Sequence, residues 1–250
     1  MSLAVLALMI IATFGTAFLS SMFGMLGGLI LIGILANLMP IGAAMVLHGL
    51  IQLTSNGYRA WLNRTDVQWS IIGYFGVGGL VALGLLTWVD FSPDRITVLL
   101  SLGVMPYLAL ASPKAWALDA AQKPLAFLAG WLVVFINLLT GVAGPLLDLF
   151  FQQDSLTRHQ VVATKAVLAS MGHVAKIIFF GALASNASTQ NWPEIWLIGL
   201  AIIASVLGTR LGKYALDTMQ DKTFFAWTQR ILLVVGAVLI ARAVQLIMQG

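Results

Sequence analysis

The sequence predicts an all-α integral membrane protein made of two inverted repeats of about five helical segments each, with a Gly-broken or re-entrant hairpin opening each repeat. Three observations predict it. Of 250 residues, 60% are hydrophobic and only 9% charged, and the mean hydropathy is +0.97. A soluble domain carries about 25% charged residues. Apolar stretches of about 20 residues, enough to cross the ~30 Å hydrocarbon core, recur along the chain. Finally, one Gly-rich break occurs twice, as Gly24-Met25-Leu26-Gly27-Gly28 and, 117 positions later (24 to 141), as Gly141-Val142-Ala143-Gly144-Pro145.

Ten apolar segments can be drawn. They are 3–23, 27–39, 41–62, 67–88 and 95–112 in the first half, and 124–143, 145–153, 157–182, 193–215 and 224–248 in the second. The first lacks a basic leader and a small-residue cleavage pattern, so it reads as a mature helix rather than a signal peptide. The second and seventh are too short to span and lie beside a glycine break, as broken or re-entrant helices do. Pro40 suits the first turn of the third. Ser112-Pro113-Lys114 and Lys123-Pro124 bracket a polar connector. It divides the chain into repeats at 1–115 and 116–250. There is no cysteine, which excludes disulfides and thiolate metal sites. No cofactor or metal is expected.

Loop charge gives the orientation. Arg59 and Arg64, Lys114 and Lys123, and Arg210, Lys213 and Lys222 mark 59–64, 113–123 and 210–222 as cytoplasmic. The turn at 89–94 is acidic and 184–194 has no Lys or Arg, so both are placed outside. Arg95 and Arg242 are exceptions. On this assignment the first hairpin begins and ends outside and the second begins and ends inside, and three spans follow each. That is an inverted pair in a multi-pass inner-membrane protein. The net charge of +4 reflects these loops and does not point to nucleic acid.

The same offset aligns more than glycine. Pro40 meets Thr157, His48 meets Lys165, Ser55 meets Gly172, Asn56 meets His173 and Arg59 meets Lys176. His48, Gln52, Ser55 and Arg59 share one helical stripe, and Lys165, Ala169, Gly172 and Lys176 share the equivalent one. A charge at the bilayer centre costs roughly 2.5 kcal/mol or more, so it faces a cavity or the bundle interior. Facing cationic stripes, with hairpin helix N-termini at Gly28 and Pro145 adding free N–H groups and a positive dipole end, would make a path for an anion. The expected substrate-binding residues are Gly24, Gly27, Gly28, His48, Gln52, Asn137, Gly141, Gly144 and Lys165, with His48 partnering Lys165 across the axis. Asp148 and His48 are candidates for proton coupling.

Plainer readings stay open beside these. Paired glycines also permit close helix packing. Lys165 could snorkel to the interface, and His48 could be a neutral histidine bonded between helices. Arg59 and Lys176, near helix ends, read best as interface anchors. Asp148 is a proton carrier, a counter-ion to Lys165 or an exposed loop carboxylate. The eight tryptophans suit interfacial belts.

These residues also carry a resemblance. The chain resembles the sulfite exporter TauE/SafE family, which has a G-x-G-G-G stretch near the start of each half. It is similar too in Gly208-Thr209-Arg210-Leu211-Gly212-Lys213, against a G-x-R-x-G-K pattern, and in Ala163-Thr164. Leu26 and Ala143 replace the middle glycines, and Gly33 stands where a proline often follows. The resemblance implies a secondary exporter of small sulfur-containing anions, such as sulfite or organosulfonates, working by alternating access at a midplane site. Its expected partners are the anion, the lipid bilayer and, as an alternative to a monomer, a second copy in a homodimer. Rival readings are a passive anion channel and an intramembrane enzyme. For the enzyme, Ser170 and His173 at i, i+3 are the nearest thing to a nucleophile and base. A cation transporter would want several mid-membrane carboxylates, and only Asp148 lies near a break.

Overall fold

The structure is a computed structural model that describes residues 3–23, 26–111, 118–152, 155–184, 192–216 and 221–249. Gly24 and Lys114 therefore lie outside the described residues. Within them are ten α-helices: α1 Leu3–Phe23, α2 Leu26–Leu38, α3 Ile41–Leu62, α4 Trp69–Trp88, α5 Arg95–Ala111, α6 Lys123–Thr140, α7 Gly144–Leu149, α8 Arg158–Ile178, α9 Ile195–Leu216 and α10 Asp221–Gln249. α8 runs on into a π-helical turn, Phe179–Leu183. Six helices among the described residues are long and apolar enough to cross a membrane. The protein is a multi-pass membrane protein.

The ten segments read from the sequence all form helix, with one real shortening. The seventh was expected over 145–153 and is only Gly144–Leu149. Its chain then turns extended, and Phe151 forms an antiparallel bridge with Asp119. Leu118 N–H and Ala120 N–H donate to the carbonyls of Leu149 and Phe150 (2.9 and 2.8 Å). These strand-like bonds compete with a longer helix. They also set the end of α7 beside the segment that leads into α6, so this hairpin returns to the end of the bundle it left.

Small residues decide which helices touch. A Cβ on Gly208 or Gly212 of α9 would lie 2.3 or 2.4 Å from the carbonyl oxygens of Phe14 and Phe18 of α1. One on Gly78 of α4 would lie 2.0 Å from Phe127 O of α6, and one on Gly130 of α6 would lie 2.0 Å from Phe75 O. Residue numbers rise together from Phe14–Gly208 to Phe18–Gly212, and from Tyr74–Lys123 through Gly78–Phe127 to Gly79–Val134, so α1 runs parallel to α9 and α4 parallel to α6. α5 crosses α10 antiparallel where Gly103 meets Gly236, and Tyr107 Oη donates to Leu233 O (2.8 Å). α3 packs antiparallel on α8. Without side chains in the way, backbones approach closely, the usual device where lipid offers no hydrophobic drive between helices.

These directions define two ends. The first holds Arg64 and the starts of α4, α6 and α8; the other holds Asp94 and the starts of α3, α5 and α9. At the Asp94 end Arg95 donates to Met39 O (3.3 Å) and Arg242 to Asn37 Oδ1 (3.1 Å). Both cations hold the C-terminal end of α2, where helix carbonyls are unpaired. The two exceptions to the charge pattern thus have a local partner. α1 begins at the Asp94 end and α2 finishes there, so the first hairpin also returns. Trp61 and Trp69 are exposed at one end, and Trp88, Trp192 and Trp196 at the other, as interfacial belts require. Pro40 precedes α3 as its cap rather than entering its first turn. α8 starts on a capping box in which Thr157 and Gln160 bond reciprocally.

Gly78→Ala is expected to destabilise the protein by about 1–3 kcal/mol through overpacking on α6, whereas Gly73→Ala, with open space around its Cβ, should be close to neutral. Thermal unfolding of the two variants in detergent checks this; equal midpoints would contradict the packing.

Candidate functional site

Gly141 sets the geometry of the second break. It caps α6 in the left-handed region, with φ 85° and ψ −12°. Glycine takes that conformation without the steric cost other residues bear. The backbone released there is almost all satisfied by protein. Gly141 N–H donates to Asn137 O (2.8 Å). Thr140 Oγ1 accepts from Val142 N–H (3.1 Å) and donates to Val142 O (2.6 Å). Gly141 O accepts from Lys176 Nζ (2.7 Å).

That amine does more. Lys176 Nζ also lies 2.6 Å from His48 Nδ1, and His48 Nε2 lies 3.0 Å from Gly28 O. A carbonyl only accepts, so Nε2 carries the proton given to Gly28, and Nδ1 accepts from the lysine. The chain Gly141 O, Lys176, His48, Gly28 O joins the two breaks through one side chain from α8 and one from α3. Both side chains are fully buried. Lys176 is therefore not the interface anchor that its place near a helix end suggested. Gly141 O, freed by the αL turn, and the imidazole reward its turning inward.

The expected pairing of His48 with Lys165 is also replaced. His48 pairs with Lys176, and Lys165 forms a salt bridge with Asp148. Eleven residues (176 − 165), about three turns of helix, separate Lys165 from Lys176, which puts it beside α7 instead. Asp148 is thus the counter-ion of Lys165.

Lys165 and Asp148 stand on the wall of a cavity of about 510 Å³. α3 gives it Gln52, Asn56 and Arg59; α6 gives Asn137; α8 gives Lys165, Ala169, Gly172 and His173; Gly144 and Pro145 come from α7. Leu26, Leu29, Val133, Leu147 and Leu232 supply apolar wall. Arg59, Leu110, Gln152 and Val162 are its rim. Leu110, Gln152 and Val162 are exposed at the Arg64 end, so the cavity opens there. Toward the Asp94 end it is shut by a layer in which Ile32, Leu35, Met45 and Phe179 are fully buried.

Of the residues expected at the site, Gln52, Asn137, Gly144, Lys165 and Asp148 line this cavity. Gly27, Gly28, Gly141 and His48 lie behind it. Gly27 closes the α1–α2 turn against Thr16 O and Ser20, and Gly28 faces Gln52 and His48. Carbonyls at the breaks, not N–H groups, meet the buried side chains. Two wall residues, Asn56 and His173, stood at equivalent positions in the two long helices, which was the available signal for them. Asn137 Oδ1 and His173 Nδ1 are buried on the wall without a hydrogen-bond partner. Such atoms fit a polar ligand or water. Ser170 Oγ donates to Ala166 O (2.8 Å) and not to His173, so no nucleophile–base bond forms there.

A bundle of spanning helices around a charged, partly open cavity, with two broken helices held together at its floor, defines a transport protein of the membrane. Residues 9–242 match the family described as Sulfite exporter TauE/SafE, and the chain belongs to that family. No curated protein and no solved structure matches it. The family is one of transporters.

Gly141→Ala would force a Cβ into left-handed backbone 2.8 Å from Ile32 Cγ1. A loss of about 1–2 kcal/mol from the backbone, and about 1–3 kcal/mol from crowding, is expected in detergent unfolding. A wild-type midpoint would show that the αL turn is not maintained.

Proposed function

We propose that this protein is a secondary exporter of small sulfur-containing anions, sulfite or organosulfonates, working from the inner membrane by alternating access. The observation that carries this reading is the Lys165–Asp148 pair on the wall of a cavity open to one end only. An incoming anion would compete with Asp148 for the Lys165 ammonium, with Arg59 at the mouth drawing it in. Asn137, Gln52 and the backbone at Gly144 would complete its hydrogen bonds. The family description supplies the sulfur-anion class. The basic loops put the cavity mouth on the cytoplasmic side, where an exporter loads.

Two repeats, 1–115 and 116–250, would supply the rocking halves. Several features support this. Exchanging α1–α5 for α6–α10 turns the α1–α9 pair into α6–α4 and leaves α3–α8 and α5–α10 unchanged. The two hairpins also return to opposite ends. On this reading Gly24, Gly27, Gly28 and Gly141 act by shaping the breaks, and His48 by joining them. Asp148 is the better placed of the two candidates for carrying a proton, because it stands at the cavity wall on a cation that cargo would claim. The buried layer at the Asp94 end favours a gated carrier over a continuously open channel.

Counterflow of labelled sulfite, sulfoacetate and taurine into proteoliposomes tests this. Flux of at least one is expected, and Lys165→Ala should lower it about tenfold, the loss of roughly 1.4 kcal/mol of binding. Flux of none would remove the substrate assignment, and full flux in Lys165→Ala would remove that residue's role.

A further inference from the structure

A lysine amine buried away from water is costly unless its hydrogen bonds are met. Lys176 is compensated by a carbonyl and an imidazole rather than by a carboxylate, and both belong to the centre of the fold. If packing were its only purpose, an apolar residue of similar length would serve at lower cost. Intramembrane ionisable residues of this kind mark function. The position is specific. On one side lies the cavity, whose wall residue His173 meets the His48 ring edge to face at 5.8 Å. On the other lie Ile32 and Met45, packed against Gly141, which belong to the layer that closes the Asp94 end.

We propose that Lys176 and His48 are positioning residues that latch the two glycine breaks together and hold the cavity shut toward the Asp94 end. The latch has one side chain from each long helix and one carbonyl from each hairpin, so it holds only while both hairpins keep this arrangement. Opening toward the Asp94 end requires it to part. Neither residue touches cargo; both act through the hairpins. The inference rests on the transporter reading above, but it concerns a closure that can be measured with no cargo present.

The natural chain has no cysteine, so one introduced thiol reports alone. Met45→Cys places it behind the latch, one turn from His48. In vesicles, labelling by a membrane-impermeant maleimide applied to the Asp94 side is expected to be slow. Adding Lys176→Met should raise that rate at least tenfold. His48→Gln keeps an acceptor for Lys176 and a donor for Gly28, and should leave the rate within threefold of the Met45→Cys parent. An unchanged rate in Lys176→Met, with the protein still eluting as one symmetrical peak, overturns the latch. So does a rise in His48→Gln equal to that in Lys176→Met. Should Lys176→Met not fold, His48→Leu is read the same way, a tenfold rise supporting the latch and an unchanged rate overturning it. Labelling needs no anion, so failed counterflow and a failed latch give separate results.

Discussion

The centre of this protein depends on one lysine side chain held out of water. The fold supplies Gly141 O and His48 Nδ1 as acceptors for Lys176 Nζ. Each acceptor exists only because of something else. Gly141 O is free because α6 stops in a left-handed turn. His48 Nδ1 is free because its other nitrogen is committed to Gly28 O. A buried lysine, two helix breaks and an imidazole tautomer are therefore one interdependent arrangement, in which removing any member leaves another buried group unpaired.

The cavity follows from that arrangement. Tying the breaks together at the floor lets α7 and the start of α8 stand apart, and Lys165 and Asp148 fill the opening. Lys176 at the floor is bonded to a carbonyl and an imidazole, while Lys165 on the wall is held by a carboxylate. Two lysines eleven positions apart on one helix thus have different work because of what each faces, not because of their chemistry.

Much of the architecture was legible in the sequence. Helix number and order follow from apolar run length, and the two-ended layout follows from loop charge. The repeated glycines marked the breaks because few other residues serve both close approach and positive φ. The pairing of charges was not legible. A fixed offset aligns His48 with Lys165, but an offset in sequence does not make residues adjacent, and contact is set by how α3 crosses α8. Here Gly49 brings α3 onto Ile177, which puts His48 beside Lys176. Burial of Lys176 was hidden for a related reason. Its acceptor, Gly141 O, becomes available only through a backbone conformation 35 residues away in sequence. The shortness of α7 was equally invisible, since the bridge to Asp119 that ends it is tertiary.

The parallel pairing of α1 with α9 has a consequence for how the molecule is made. Phe14 and Phe18 meet Gly208 and Gly212, so α1 waits for a partner synthesised 194 residues later (208 − 14). At 5–20 residues per second the interval is roughly 10–40 s. In water an apolar helix left uncovered that long would invite aggregation. In a bilayer it waits at little cost, because lipid tails cover it about as well as protein does. The order of translation and the order of assembly can therefore diverge here. The first half of the chain is inserted long before it has the neighbours that make it a structure.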